Sequence, residues 1–311
     1  MTYVHATRDL LTKPFEMSSP SGGEPLAALT QQHYQTIDIE LETSLKALFC
    51  YMRPAGRPSF TPQLLGDLNR MQQHIYAATA GAEPFRYFVF GSRVPGSFNL
   101  GGDLDLFRDK IRTGNRDALR TYGHACIDAV YQNITGYNQK VITVALVQGA
   151  ALGGGFEAAL SCHHIVAERS STFGLPEVLF NLFPGMGAYS FLSRRMDAAR
   201  AEKLILGGKM FTATEMHEMG IVDHVAEDGE GEAAVRSYLA RLDRRYNTHR
   251  AVMETRQRIN PITREELIDV VEIWVEAALR LDESDLRTMA RLVRAQSRRH
   301  EGERDSRLAA D

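Results

Sequence analysis

Cysteine is scarce and unpaired. Cys50, Cys126 and Cys162 are the three in 311 residues, and they form neither a CxxC pair nor an even disulfide framework. That argues against a disulfide-stapled secreted fold and for a reducing compartment. Charge of one sign is not in excess either. The 36 basic and 39 acidic residues leave a formal net charge of −3, which removes the overall attraction a nucleic acid or an anionic membrane would supply. No run approaches the roughly 18 apolar residues that cross a bilayer. The N-terminus, MTYVHATRDLLTKPFEMSSPSGGEP, lacks a basic stretch followed by an apolar core. The expectation is a cytoplasmic protein with no nucleic-acid partner and no membrane span. Also missing are a GxSxG elbow, a Gly-Lys-Ser/Thr after the glycines, and a third ligand near His163 and His164. These absences argue against a serine nucleophile, a P-loop and a metal centre, and no cofactor is expected.

With 44% hydrophobic residues, the chain can bury a substantial interior. Residues 1–34 are irregular and rich in small turn formers around Pro20, which reads as a flexible arm. Ile37, Ile39 and Leu41 alternate with Asp38, Glu40 and Glu42, the period of a half-buried strand, and Leu48 to Met52 would pair with it. Leu64, Leu65, Leu68, Met71 and Ile75 recur at helical spacing, behind an opening at Thr61 and Pro62. A β-prone run, Phe85 to Phe90, leads into the glycine-rich loop GSRVPGSFNLGGDLDLF and a long helix carrying Leu119, Tyr122, Cys126, Ala129 and Val130. Val141 to Val147 is continuously apolar, as a strand buried on both faces should be.

Ala198 to Leu206 reads as a helix ended by Gly207 and Gly208. Capping boxes are expected at Thr212 with Glu215 and at Thr263 with Glu266. Leu267, Val270, Val271, Trp274, Ala278 and Leu281 would line one face of the helix behind the second box. Strands alternate with helices up to about residue 226, and helices alone follow the acidic linker Glu227 to Glu232. The pattern predicts an α/β core over 35–226 and a C-terminal helical subdomain over 227–311.

The segment VITVALVQGAALGGGFEAALSCHHIVAERSSTFGLPEVLFNLFPGMG (141–187) concentrates the chemistry. A buried strand runs into Gly153, Gly154 and Gly155, a helix opens on Phe156 with Glu157 in its first turn, and Glu177 follows in GLPEV. Unpaired N–H groups at such a helix start favour developing negative charge. Glycine also lets a carbonyl oxygen rest against the main chain. By themselves the glycines serve equally well as a packed turn, Glu157 as a dipole partner, and Glu177 as a surface residue after Pro176.

FNLGGDL, ALGGGFE, FGLPE and PGMG, in this order, resemble the crotonase or enoyl-CoA hydratase/isomerase superfamily over about Phe85 to Val225. The resemblance implies a crotonase-like spiral of repeated ββα units, with Gly102 and Gly154 as the two amides of an oxyanion hole and Glu157 and Glu177 as the acid/base carboxylates. An α-proton of a thioester is too weakly acidic for a carboxylate unless the enolate oxygen is stabilised as it forms. Two glutamates favour hydration, dehydration or isomerisation. Which is acid and which is base stays open, since coupled carboxylates can share a proton.

RPSFTPQLL, FVFGSRVPGSFNLGGDLDLF and FGLPEVLFNLFPGMGAYSFL look like a narrower branch, the diffusible signal factor synthases. These make cis-2-unsaturated fatty acid signals for quorum sensing. That likeness implies dehydration of a 3-hydroxyacyl thioester on acyl carrier protein followed by thioester hydrolysis. A generic enoyl-CoA hydratase or isomerase on acyl-CoA, and a non-catalytic partner of a sensor kinase, are the alternatives. Met186, Trp274 and Leu292 are implied to line the acyl slot, with ordinary core packing as the other reading. Family habit implies a homotrimer or hexamer. Arg287, Arg291, Arg294, Arg298 and Arg299 form a basic face, either a solvated flank or a dock for acyl carrier protein.

Overall fold

The computed structural model describes residues 29–79, 83–139 and 141–308, and in it the chain alternates between two sheets. The larger holds β1 (Ile37–Glu42), β2 (Ala47–Met52), β3 (Tyr87–Ser92), β5 (Ile142–Val147), β7 (His164–Glu168) and β10 (His224–Ala226), side by side in that order. Short strands β4 (Ser97–Asn99), β6 (Ala150–Leu152), β8 (Thr172–Gly174) and β9 (Met210–Thr212) make the smaller. Helix α1 (Pro62–Thr79) crosses from β2 to β3. Each later turn of the chain passes from a long strand to a short strand and then to helix. After β3 and β4 come α2 (Leu104–Arg112) and α3 (Arg116–Gln139), and after β5 and β6 comes α4 (Gly154–Ser161). β7 and β8 lead to a 3-10 turn (Pro176–Phe180), α5 (Ala188–Leu192) and α6 (Ala198–Gly207). This is the α/β spiral of ββα units, closed by α7 (Ala213–Glu218) and the helices α8 (Gly231–Asp243), α9 (Tyr246–Ile259), α10 (Arg264–Leu279) and α11 (Glu283–Leu308).

The central strands β2, β3 and β5 are fully buried and almost wholly apolar because both faces of the larger sheet are covered there. Leu48, Cys50 and Met52 face the main core, while Phe49 and Tyr51 join Tyr87, Val89, Val144 and Leu146 under Val235, Leu239 and Leu242 of α8. The edge strand β1 turns Ile37 inward and pairs Asp38, Glu40 and Glu42 with Arg53, Arg93 and Arg236, which keeps the edge from templating another strand.

Several expectations change. GSRVPGSFNLGGDLDLF is not one loop: it holds β4 and the start of α2, whose cap is Asp103, accepting from Leu106 N at 3.0 Å. Helix α4 begins at Gly154, two residues before Phe156, and ends at Ser161. The box at Thr212 and Glu215 forms with both hydrogen bonds. At Thr263 only the half from Glu266 N forms, since the Glu266 carboxylate is taken by Arg194 at 2.7 Å. Val275 replaces Val270 on the buried face of α10. In the stretch 1–34, residues 1–28 lie outside the described residues, while Leu29 and Tyr34 belong to the main core.

Candidate active site

Strand β6 delivers the chain to Gly153, whose φ of +52° lies in the left-handed region and whose missing β-carbon would overlap Oε1 of Glu177. Only glycine allows both the turn and that contact. Helix α4 then opens with no side chain capping it, next to the Glu177 carboxylate, so its first N–H groups have no side-chain acceptor. Gly101 (φ +91°) brings the 100–103 loop against this helix start: a β-carbon there would sit 3.0 Å from Gly154 N and 2.8 Å from Leu152 O. Among the described residues neither the Gly102 nor the Gly154 amide has a hydrogen-bond acceptor.

Glu157 is buried in the first turn of α4. Its Oε1 accepts from Met186 N at 2.7 Å and Ala188 N at 2.9 Å, which ties the PGMG loop to the helix. Burial pushes its carboxyl well above the usual range, against the pull of those two amides. Glu177 is half-buried as a residue, but its Oε2 is sequestered and has no partner among the described residues. Burial first, and the neighbouring Glu157 charge second, raise its carboxyl too. Both carboxyls therefore take up a proton more readily than a solvated glutamate does.

Met186, Trp274 and Phe107 pack against the glycines of these loops. Met186 Sδ is 3.2 Å from the position of a Gly154 β-carbon. Trp274 lies across Gly185 and meets Phe107 edge to face at 4.9 Å, and Phe107 covers Gly102. The structure thus brings together Glu157, Glu177, Gly102, Gly154, Met186 and Trp274. Leu292 is half-buried on α11, which packs on α2 and the 176–180 turn, and none of the atoms nearest Gly102 or Gly154 belongs to it. Phe107 and Phe60 were not legible as site residues, because each reads as one apolar residue among many. Nothing in the spacing of a helix or strand marks which core side chain touches a loop glycine.

The other candidates lie elsewhere. His163 Nδ1 accepts from Thr143 N at 3.0 Å, and its other nitrogen bonds Ile134 O at 3.2 Å. Burial holds this ring neutral, with its pKa pushed down to about 3. His164 opens β7 and bonds Asp223 and Tyr238. A cavity of about 70 Å³ among Ser161, Cys162, Phe191 and Arg195 sits at the far end of α4. Arg287 and Arg291 are exposed on α11, while the side chains of Arg298 and Arg299 lie outside the described residues.

Residues 66–275 match the enoyl-CoA hydratase/isomerase family model. The chain belongs to the enoyl-CoA hydratase/isomerase family. Within it, rat mitochondrial methylglutaconyl-CoA hydratase is 30% identical over 223 residues, covering 71% of this chain and 67% of the relative. Human mitochondrial enoyl-CoA hydratase domain-containing protein 2 is 35% identical over 192 residues, 58% of this chain and 59% of its own. Among solved structures, enoyl-CoA hydratase of Bacillus halodurans superposes with a TM-score of 0.70 at 21% identity, covering 82% of this chain and 99% of that one. DspI of Pseudomonas aeruginosa gives 0.63 at 20% identity, covering 79% and 93%. At these identities the structural likeness establishes the family's fold. No helix among the described residues is long and apolar enough to cross a membrane.

Proposed function

We propose that this member of the family dehydrates a 3-hydroxyacyl thioester carried by acyl carrier protein to the cis-2-enoyl thioester and then hydrolyses it, releasing a cis-2-unsaturated fatty acid signal. The observation that carries the acid/base part is the pair of raised, buried carboxyls, Glu157 and Glu177, set against the uncapped start of α4. The thioester oxygen accepts from the Gly102 and Gly154 N–H groups. One carboxylate then removes the α-proton, and the partner carboxyl protonates the 3-hydroxyl, which leaves as water. In the second step water, deprotonated by the same pair, adds to the thioester carbon. The same amides hold the tetrahedral oxyanion, and the carrier thiol leaves with a proton. Met186 and Trp274 border the acyl chain in this reading, with Leu292 further along the slot on α11. The release step and the carrier-protein preference are supported by the motifs RPSFTPQLL and FGLPEVLFNLFPGMGAYSFL.

The two hydratase-named relatives favour a second reading, reversible hydration of an acyl-CoA without hydrolysis. A series of 3-hydroxyacyl carrier proteins incubated with the chain, followed by mass spectrometry and chromatography against cis and trans standards, separates the two. Free cis-2-enoic acid is the expected product. A trans-2-enoyl thioester as sole product would transfer the assignment to the hydratase reading.

A further inference from the structure

The Gly102 N–H belongs to the peptide plane that carries the Gly101 carbonyl, and in a trans peptide the two point in opposite directions. Whatever holds the Gly101 oxygen therefore aims the Gly102 amide. Phe60 does so: its N–H donates to Gly101 O at 2.8 Å, which turns the Gly102 N–H away from the Phe60 main chain. Phe60 is itself held from the other side. Its carbonyl accepts the Tyr122 hydroxyl at 2.5 Å, and the same hydroxyl oxygen accepts Asp103 N at 3.0 Å. The single phenolic proton is committed to Phe60, and the lone pairs serve Asp103. Both peptide planes flanking Gly102 are thus anchored, one through Phe60 and one directly, by one buried side chain. The ring of Tyr122 is fixed in turn by Phe107, edge to face at 5.1 Å, and Phe107 also covers Gly102.

We infer that Tyr122 is a positioning residue of the thioester site, its hydroxyl setting the direction of the Gly102 N–H by holding Phe60 on one side of it and Asp103 on the other. The inference rests on the reading of Gly102 as a donor to the thioester oxygen. A donor held firmly at Gly101 O polarises that carbonyl and so makes the amide on the same plane a better donor. A misaimed oxyanion donor loses part of what deleting it would cost, so turnover should fall about tenfold to a hundredfold with KM little changed.

The test uses the full chain and a push–pull aryl-acryloyl thioester loaded on acyl carrier protein, at concentrations where anisotropy shows it bound, whose absorption moves to the red when its carbonyl oxygen is hydrogen-bonded. Tyr122→Phe keeps the ring and removes the hydroxyl. Gln72→Leu is the control: it removes a buried hydrogen bond to Ala129 O (2.6 Å) between α1 and α3 without touching the loop. The expected result is a red-shifted band in wild type and Gln72→Leu that mostly disappears in Tyr122→Phe, together with the fall in kcat. A full red shift in Tyr122→Phe would overturn the inference. No shift in wild type would instead remove the oxyanion-hole reading itself. Should Tyr122→Phe fail to fold, 4-fluorophenylalanine at position 122 fills the space of the hydroxyl without the proton that Phe60 O accepts. A displaced band then supports the inference, and an unchanged one overturns it.

Discussion

At the scale of single residues, the proposed chemistry depends on two acids that the fold makes reluctant to ionise. Replacing Glu157 or Glu177 with Gln should lower turnover by about 10²–10⁴-fold while leaving the far-ultraviolet spectrum unchanged. The same acids leave a mark on stability. Each carboxyl is raised by burial, so between the ordinary carboxylate range and its raised value the folded chain binds protons that the unfolded chain has released. Stability from this source falls as pH rises through that window. Glu177→Gln should therefore raise the unfolding midpoint by roughly 2–4 °C at about pH 8 and change it little at about pH 4.5. A calorimetric midpoint that drops at both pH values would contradict the burial assigned to this carboxyl. The identities of both glutamates were legible through the family-like motifs, since alone each reads as an ordinary helix-start or surface residue. Their convergence was not, since residues 157 and 177 meet only after β7 and β8 have been laid between them.

Among the elements, α4 shows what local pattern can and cannot say. Its apolar run predicts a helix, but its start was misjudged by two residues. Glycine is a poor helix former, and here two glycines are helical because Gly153 ends the strand pairing and frees the N–H groups behind it. Gly153→Ala puts a side chain into the left-handed region and into the Glu177 carboxylate. The expected cost is about 1–3 kcal/mol of stability, with kcat reduced at least as much as by losing Glu177, read from chemical denaturation and a turnover assay. Unchanged activity would mean that Glu177 does not depend on this contact. The half-formed cap at Thr263 makes the complementary point. A box motif specifies which bonds are possible, and a tertiary ion pair with Arg194 decides which of them forms.

For the whole molecule, the two-sheet spiral places the glycine loops, the 176–180 turn and α10 around one cleft, while α11 turns Arg287 and Arg291 to solvent. In the reading of a carrier-protein substrate, binding should weaken several-fold as salt rises from about 50 to 300 mM, because exposed charges are screened over a Debye length. Fluorescence anisotropy with a labelled carrier protein measures this, and an affinity indifferent to salt would remove the basic face from the docking surface. Period-2 and period-3.6 hydrophobicity, together with the glycine-bearing motifs, determined the alternation of strands and helices, the helical C-terminal third and the carboxylates worth naming, since these are encoded by neighbours along the chain. The three-residue strands β4, β6, β8 and β9 were decided only in three dimensions, because segments so short have no periodicity to detect. The same holds for the aim of the Gly102 amide and the raised carboxyls, as hydrogen-bond direction and desolvation belong to whatever surrounds a group and not to its neighbours in sequence.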